Sequence, residues 1–376
     1  MRAVAPWFAA PALRARGIVC TLLTAASWSG CAAAQGPSRG QQVLFAPSVA
    51  WVSGPDQWTV QIQGRIFEPA ESSPGRRALI DGLALGLGAN SSDPLYRERA
   101  GYFVSDSINK ARISVALGDQ VVQLGPSDSS GYLSTTVTLT NDQVDRFARD
   151  GVIAFESLPT RDNPSRFPGS AVLVAEEGVI VVSDIDDTIK ETNVNNRAAA
   201  KANTFLRAFK PVPGMPEAYR AWKESSGPRV HFHIVSAGPW QFHKPLRQFT
   251  EASGFPDFTW DMRSVDTTNP ETLVKELLVA DPKRLYDFKV QAIRVLMKRF
   301  PNRHFVLVGD SGERDPETYA TIFSESADRV DAIFIHDVTG ERADAYRYEK
   351  LFPIPTAKLH VFCEPDELPH SLADMH

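Results

Sequence analysis

Val179-Ile-Val-Val182, running straight into Ser183-Asp184-Ile185-Asp186-Asp187-Thr188, is the stretch on which the fold turns. A continuous apolar run reads as a strand covered on both faces, the kind found in parallel sheets. The same texture continues downstream. Apolar runs at Val230 to Val235, His304 to Val308 and Ala332 to Ile335 alternate with helical stretches at Tyr219 to Glu224, Gln241 to Ala252 and Lys289 to Arg299. Strands separated by helices predict an α/β fold with a parallel sheet, whose ligand crevice lies at the carboxyl ends of the strands.

Upstream the pattern is different. Trp58, Val60, Ile62 and Ile66 alternate with Thr59, Gln61, Gln63 and Arg65, which predicts a strand with one face in a core and one in water. Ile113, Val115 and Leu117 repeat the alternation, as do Thr135, Val137 and Leu139, with one helical interruption predicted at Arg76 to Leu87. The domain reading is therefore a leader over 1–34, a β-rich, sandwich-like accessory domain over 41–175, an α/β domain over 176–345 and a tail over 346–376.

The leader has the order of a secretory signal: Arg2, Arg14 and Arg16, an apolar run from Gly17 to Ala26, then Ala32-Ala33-Ala34. Export, most simply to a periplasm, is the expectation, with the chain cut after Ala34 or carrying a lipid on Cys31. The apolar run is shorter than the roughly 20 residues a spanning helix needs. The 376 residues carry a net charge of −5, and loss of the three leader arginines takes it to −8. An acidic chain is poorly suited to bind nucleic acid, which calls for clustered Lys and Arg.

Four constellations sit at predicted strand ends or beside them. Asp184, Asp186 and Asp187 repel one another unless a cation is near, and a hard oxygen-seeking ion such as Mg²⁺ is the natural one. Ser236-Ala237-Gly238 offers a hydroxyl and a close-approach backbone for an anion. Lys289 stands near the start of a predicted helix. Asp310 and Asp315, in Gly309-Asp-Ser-Gly-Glu-Arg-Asp315, can complete a cation site begun by Asp184.

In that order the four constellations resemble the haloacid-dehalogenase superfamily. Asp184, Asp186 and Thr188 match its Asp-x-Asp-x-Thr, Ser236 its second motif, Lys289 its third, and Gly309, Asp310 and Asp315 its fourth. A narrower resemblance, carried also by Pro211-Val-Pro-Gly-Met215 and Val235-Ser-Ala-Gly-Pro-Trp-Gln241, is to the actin-patch-protein type of phosphatidate phosphatase. His336 stands where that family would place Arg. The resemblance implies a haloacid-dehalogenase-like sheet and a Mg²⁺-dependent phosphatase. Asp184 would be its nucleophile and Asp186 its acid and base. Phosphate would be held by Thr188, Ser236, Ala237, Gly238 and Lys289, and the metal by Asp184, Asp186, Asp310 and Asp315.

The span from Thr188 to the helix near Glu217 suits a small flap, since a folded cap domain would need at least ~50 residues. An uncapped site admits bulky substrates: a phospholipid such as phosphatidate, with peripheral membrane contact, or a phosphoprotein or phosphorylated glycan. Lys190, Arg197 and Lys201, with Trp240 and His243, are candidates to touch a headgroup. A non-catalytic binding module is the reading from another class.

Overall fold

The computed structural model describes residues 36–266, 281–352 and 357–372. The leader, with Cys31 and the Ala34 cut, lies outside them. Everything below concerns the unit Ala34–His376.

Two separate sheets organise the described residues. The first has ten strands between Gln42 and Val174, antiparallel except where Pro168–Val174 runs parallel to Ser48–Gly54. Ile113, Val115 and Leu117 alternate inward as expected, with Ser114 and Ala116 half-buried. The longest strand, Gln57–Glu68, departs from expectation: Gln61, Gln63 and Arg65, read as a wet face, are buried. That face is covered by the rest of the chain. Gln63 Nε2 donates to the Trp260 carbonyl at 2.7 Å, Arg299 Nη1 to Gln61 Oε1 at 2.9 Å, and Arg65 to Ser130 O at 3.0 Å and Ser105 Oγ at 2.9 Å.

Three helices interrupt this sheet where one was expected, the shortest being Asn141–Phe147, capped by Thr140. Pro74–Leu87 is capped by Ser73 and ends at Gly88, whose φ of 63° lies in the left-handed region that glycine adopts freely. Pro94–Phe103 is capped by Asp93, whose side chain accepts from Tyr96 N. It buries Tyr96, Arg99, Ala100 and Phe103, a helical stripe that the charge of Arg99 hides from an apolar-period reading.

The second sheet is parallel throughout: β1 Gly178–Ser183, β2 Val230–Pro239, β3 Phe258–Arg263, β4 Arg303–Asp310, β5 Val330–His336 and β6 Leu359–Phe362. Its spatial order is β3-β2-β1-β4-β5-β6. The expectation of a parallel sheet holds, and β3 and β6 add to the strands read from sequence. β6 lies inside 346–376, the segment read as a tail.

Alternate residues of each strand enter opposite cores. Val181, Ile234, Val306 and Phe334 pack on one side with Tyr219 and Trp222 of the helix Met215–Ser226. Ile180, Val182, Leu307 and Ile333 pack on the other with Ile293 and Leu296 of the helix Pro282–Arg299. Each such side chain, fully buried, contributes roughly 1.5–3 kcal/mol relative to exposure. Where the chain passes between the sheets, the buried Arg303 guanidinium donates to the carbonyls of Ala175 (2.7 Å), Glu177 (2.6 Å), Val179 (2.8 Å) and Arg229 (2.5 Å). No helix among the described residues is long and apolar enough to cross a membrane.

Candidate active site

The strand order reverses between β1 and β4, and a crevice opens at the carboxyl ends of strands on either side of such a switch point. Asp184 directly follows β1 and Asp310 ends β4. The Asp184 amide donates to Val308 O at 2.9 Å, carrying the β1–β4 ladder one residue further and fixing its side chain at the crevice.

Asp184, Asp310 and Asp315 each place a carboxylate oxygen within 4.8 Å of the others, and all three are buried. Lys289 faces this group: its Nζ lies 2.9 Å from Asp184 Oδ1, 2.5 Å from Asp315 Oδ1 and 3.1 Å from Glu313 Oε2. It sits well inside the helix Pro282–Arg299, capped by Asp281, and not at a helix start as expected. Asp310 Oδ1 accepts from the amides of Gly312 (2.7 Å) and Glu313 (3.0 Å). Asp315 opens the helix Asp315–Ser326 and lies so close to Gly309 that a Cβ there would meet its Oδ2 at 2.4 Å.

Four acids around one lysine shape the charge balance. Burial pushes Asp184 well above the carboxylate range; Lys289 opposes this, and Asp315, Glu313 and Asp186 add to it. Burial, then Asp315, Glu313 and Asp184, push Asp310 up likewise. Burial alone would push Lys289 down, but Asp184, Asp315 and Glu313 raise it well above its ordinary value, so it stays charged. The site is short of positive charge.

The residues fit a hard cation. Asp184 Oδ2 and Asp310 Oδ2 are buried without a hydrogen-bond partner, and the donor set is all oxygen, as Mg²⁺ requires. Asp186 stands apart from that carboxylate cluster. Its Oδ1 lies 2.8 Å from Lys190 Nζ and accepts from Thr192 Oγ1 at 2.6 Å. Burial raises this carboxyl, but Lys190 and the hydrogen bonds from Lys190 and Thr192 outweigh it and hold it below its ordinary range.

Asp187, the third acid of the run, serves the backbone instead. Its carboxylate accepts from the amides of Thr192 (2.6 Å), Asn193 (2.7 Å) and Val194 (2.6 Å), tying down the start of the flap. His336 Nδ1 lies 2.6 Å from the Asp187 carbonyl and so also holds this turn.

A cavity of about 270 Å³ opens beside the cluster, and Asp184, Asp186, Ser236, Ala237, Gly238 and Glu313 are among its lining residues. Ser236 ends the regular pairing of β2 with β3, and its Oγ accepts from Gly238 N at 3.1 Å. Thr188 is fully buried behind the loop with its Oγ1 unpartnered, and it does not line this cavity.

The flap between Thr188 and Met215 contains the helix Arg197–Phe205. Of its basic residues, Lys201 lines the cavity, Arg197 is exposed, and Lys190 is spent on Asp186. Trp240 and His243 are buried packing residues. Trp240 stacks on Tyr132 at 5.6 Å, and His243 meets Trp260 edge-on at 5.0 Å, with burial pushing its imidazole down to about 3.

Sequence reasoning missed two site residues. Glu313 was visible as the middle acid of the Gly309–Asp315 loop but was given no role. Arg263 ends β3, lines the cavity, and donates from Nε to Ala237 O at 2.9 Å, bracing the Ser-Ala-Gly turn.

Residues 179–337 match the family model described as phosphatidate phosphatase APP1, catalytic domain. That segment contains every site residue named above. Phosphatidate phosphatase APP1 of Saccharomyces cerevisiae is 27% identical over 275 residues, 70% of this chain and 44% of its own length. An uncharacterised protein of Schizosaccharomyces pombe is 29% identical over 167 residues, 44% of this chain and 26% of its own. The chain thus spans less than half the length of these curated relatives. The resemblance to APP1 supports a phosphoric monoester hydrolase. Likeness to solved structures is slight: a carbohydrate esterase chain overlaps 83% of this chain and 92% of its own at 9% identity and TM-score 0.21, too low to bear on fold or function.

Proposed function

We propose that this chain is a Mg²⁺-dependent phosphatase of haloacid-dehalogenase type, with a β-sandwich-like N-terminal half, acting through an aspartyl-phosphate and hydrolysing phosphatidate to diacylglycerol and phosphate. The observation that carries the proposal is the convergence of Asp184, Asp310, Asp315 and Lys289 at the sheet's switch point, inside the segment matched to the APP1 catalytic domain.

The roles follow from the geometry. Lys289 lies against Asp184 Oδ1, and of that carboxylate's two oxygens one would attack phosphorus while the other stays available to the cation. The bond to the leaving oxygen breaks as Asp186 gives it a proton. Water then attacks the phosphoryl group, Asp186 takes its proton, and phosphate leaves with Asp184 restored. Lys190 favours the deprotonated Asp186 in the resting site, the state needed for the second half; to act as the acid it must part from Lys190 and take up a proton from water or keep the one gained in the previous turnover. Ser236 Oγ, the Ala237 amide and Lys289 are positioned donors for the phosphoryl oxygens, the Gly238 amide being used to orient the Ser236 hydroxyl. Mg²⁺, on Asp184, Asp310 and Asp315 with the Asp186 carbonyl, would neutralise charge on the transferred group.

The test is phosphate release from phosphatidate in mixed micelles, lysophosphatidate, a phosphopeptide and a phosphorylated glycan. Phosphatidate is expected to have the highest kcat/KM. A preference for the peptide or the glycan would remove lipid as the substrate and keep the phosphatase, while no release from any would sink the reading.

The location proposed is outside the cytoplasm, on the strength of the Arg-apolar-Ala order of 1–34. Mass spectrometry of the protein recovered from its native cell should find Gln35 at the amino terminus, or a lipid-modified Cys31; an intact Met1 would exclude export.

A further inference from the structure

Among the described residues the N-terminal half carries no metal-holding acid cluster of its own, yet its helix Pro94–Phe103 reaches the site. Arg99 and Phe103 are four residues apart and share one face of that helix, both buried. Arg99 Nη1 donates to the carbonyls of Thr204 (2.8 Å), Arg207 (2.6 Å) and Asn203 (3.3 Å), and its guanidinium lies 3.5 Å over the ring of Phe209. These carbonyls close the carboxyl end of the flap helix Arg197–Phe205, where backbone acceptors lack intrahelical partners and a cation is favoured. Burial pushes Arg99 down to about 10, which leaves it charged at neutral pH.

One turn further, Phe103 stacks on Phe242 (5.7 Å between centroids, 21° between planes) and meets Phe205 edge-on at 5.7 Å. Phe205 and Phe242 are themselves 5.5 Å apart, so the three rings form a closed triangle. All three line the same 270 Å³ cavity that Asp184, Asp186 and Ser236 line. The rings come from three places: the N-terminal half, the flap, and the segment following β2. A cavity lined both by carboxylates and by three rings matches a phosphomonoester whose leaving group is apolar next to the ester oxygen.

We propose that the helix Pro94–Phe103 builds the leaving-group wall of the site: Arg99 is a positioning residue that sets the flap, and Phe103, with Phe205 and Phe242, selects apolar leaving groups. The inference rests on the phosphatase reading but not on phosphatidate being the natural substrate. It makes the N-terminal half a part of the site, not a tether for it.

Soluble alkyl phosphates separate the two claims. With Mg²⁺ present, kcat/KM should rise at least ~10-fold from butyl to octyl phosphate, well under the gain from burying four methylenes completely. In Phe103→Ala that ratio should fall below ~3-fold, and in Phe103→Leu, the variant to use should Ala not fold, it should lie between. Arg99→Met should lower kcat/KM for every chain length by a common factor of at least ~10 while the octyl-to-butyl ratio stays, with Arg99→Lys recovering part of the loss. Turnover without chain-length dependence in the wild type, or an unaltered ratio in both Phe103 variants, would overturn the wall and leave the phosphatase standing. Unaltered rates in Arg99→Met would overturn the flap role. Failure to hydrolyse any alkyl phosphate or phosphatidate would overturn the phosphatase reading and this one together.

Discussion

Asp184→Asn is expected to lower the rate by at least ~10³-fold, about 4 kcal/mol of barrier, without lowering the stability of the fold. The substitution keeps the shape of the side chain and takes away the attacking oxygen. The stability half of the expectation comes from the crowding of charge. Burial and the neighbouring acids raise Asp184 above its ordinary range, so the folded site favours its ionised form less than water does. An amide relieves that repulsion, and Lys289 keeps Asp315 and Glu313. Steady-state rates with a denaturant melt on the same preparation check both halves. A variant retaining more than a tenth of the activity would remove Asp184 from the nucleophile's role; an adduct of beryllofluoride found on Ser236 in the wild type would do the same.

Chelation by EDTA is expected to abolish turnover, and Mg²⁺ to restore it. Asp184 and Asp310 each hold a buried oxygen with no hydrogen-bond partner, and one lysine cannot balance four acids. A cation bound only by the folded chain also stabilises it, by ~2.7 kcal/mol when present at 100 times its dissociation constant. The melting temperature should therefore rise with Mg²⁺ in the absence of substrate. The donor set lacks the His and Cys ligands that favour Zn²⁺, so Zn²⁺ should be a poor replacement. Full turnover by metal-stripped protein would end the metal-dependent reading.

What was legible in the sequence was whatever is written locally. The run Val179–Val182 with its acids declares a buried strand ending in a charged loop, β4 and β5 repeat the form, and β2 is a buried strand that ends in an uncharged Ser-Ala-Gly turn. Partners distant along the chain were not legible. Gln61, Gln63 and Arg65 look like a solvent face because period-2 alternation cannot tell a wet face from a polar face covered by something else. Gln63 finds its partner 197 residues away at Trp260. The counting of acids failed at Asp187 for a related reason: its carboxylate answers three backbone amides five to seven residues on, which no charge count reveals. Arg99 concealed a whole helix by placing a charge in its buried stripe. The polar groups that join the two sheets are thus the ones that sequence patterning assigns to water.

Gln63 has one more consequence, for how the protein behaves among its neighbours. A parallel sheet ends in two edge strands whose unpaired amides and carbonyls invite another chain to add on. Here β3 is one edge, and the Gln63 amide occupies the carbonyl of Trp260 in its middle while the N-terminal sheet lies alongside. The other edge, β6, is four residues long, too short a template for extensive strand addition. The contact from the N-terminal sheet therefore closes the β3 edge of the parallel sheet to strand addition by another chain.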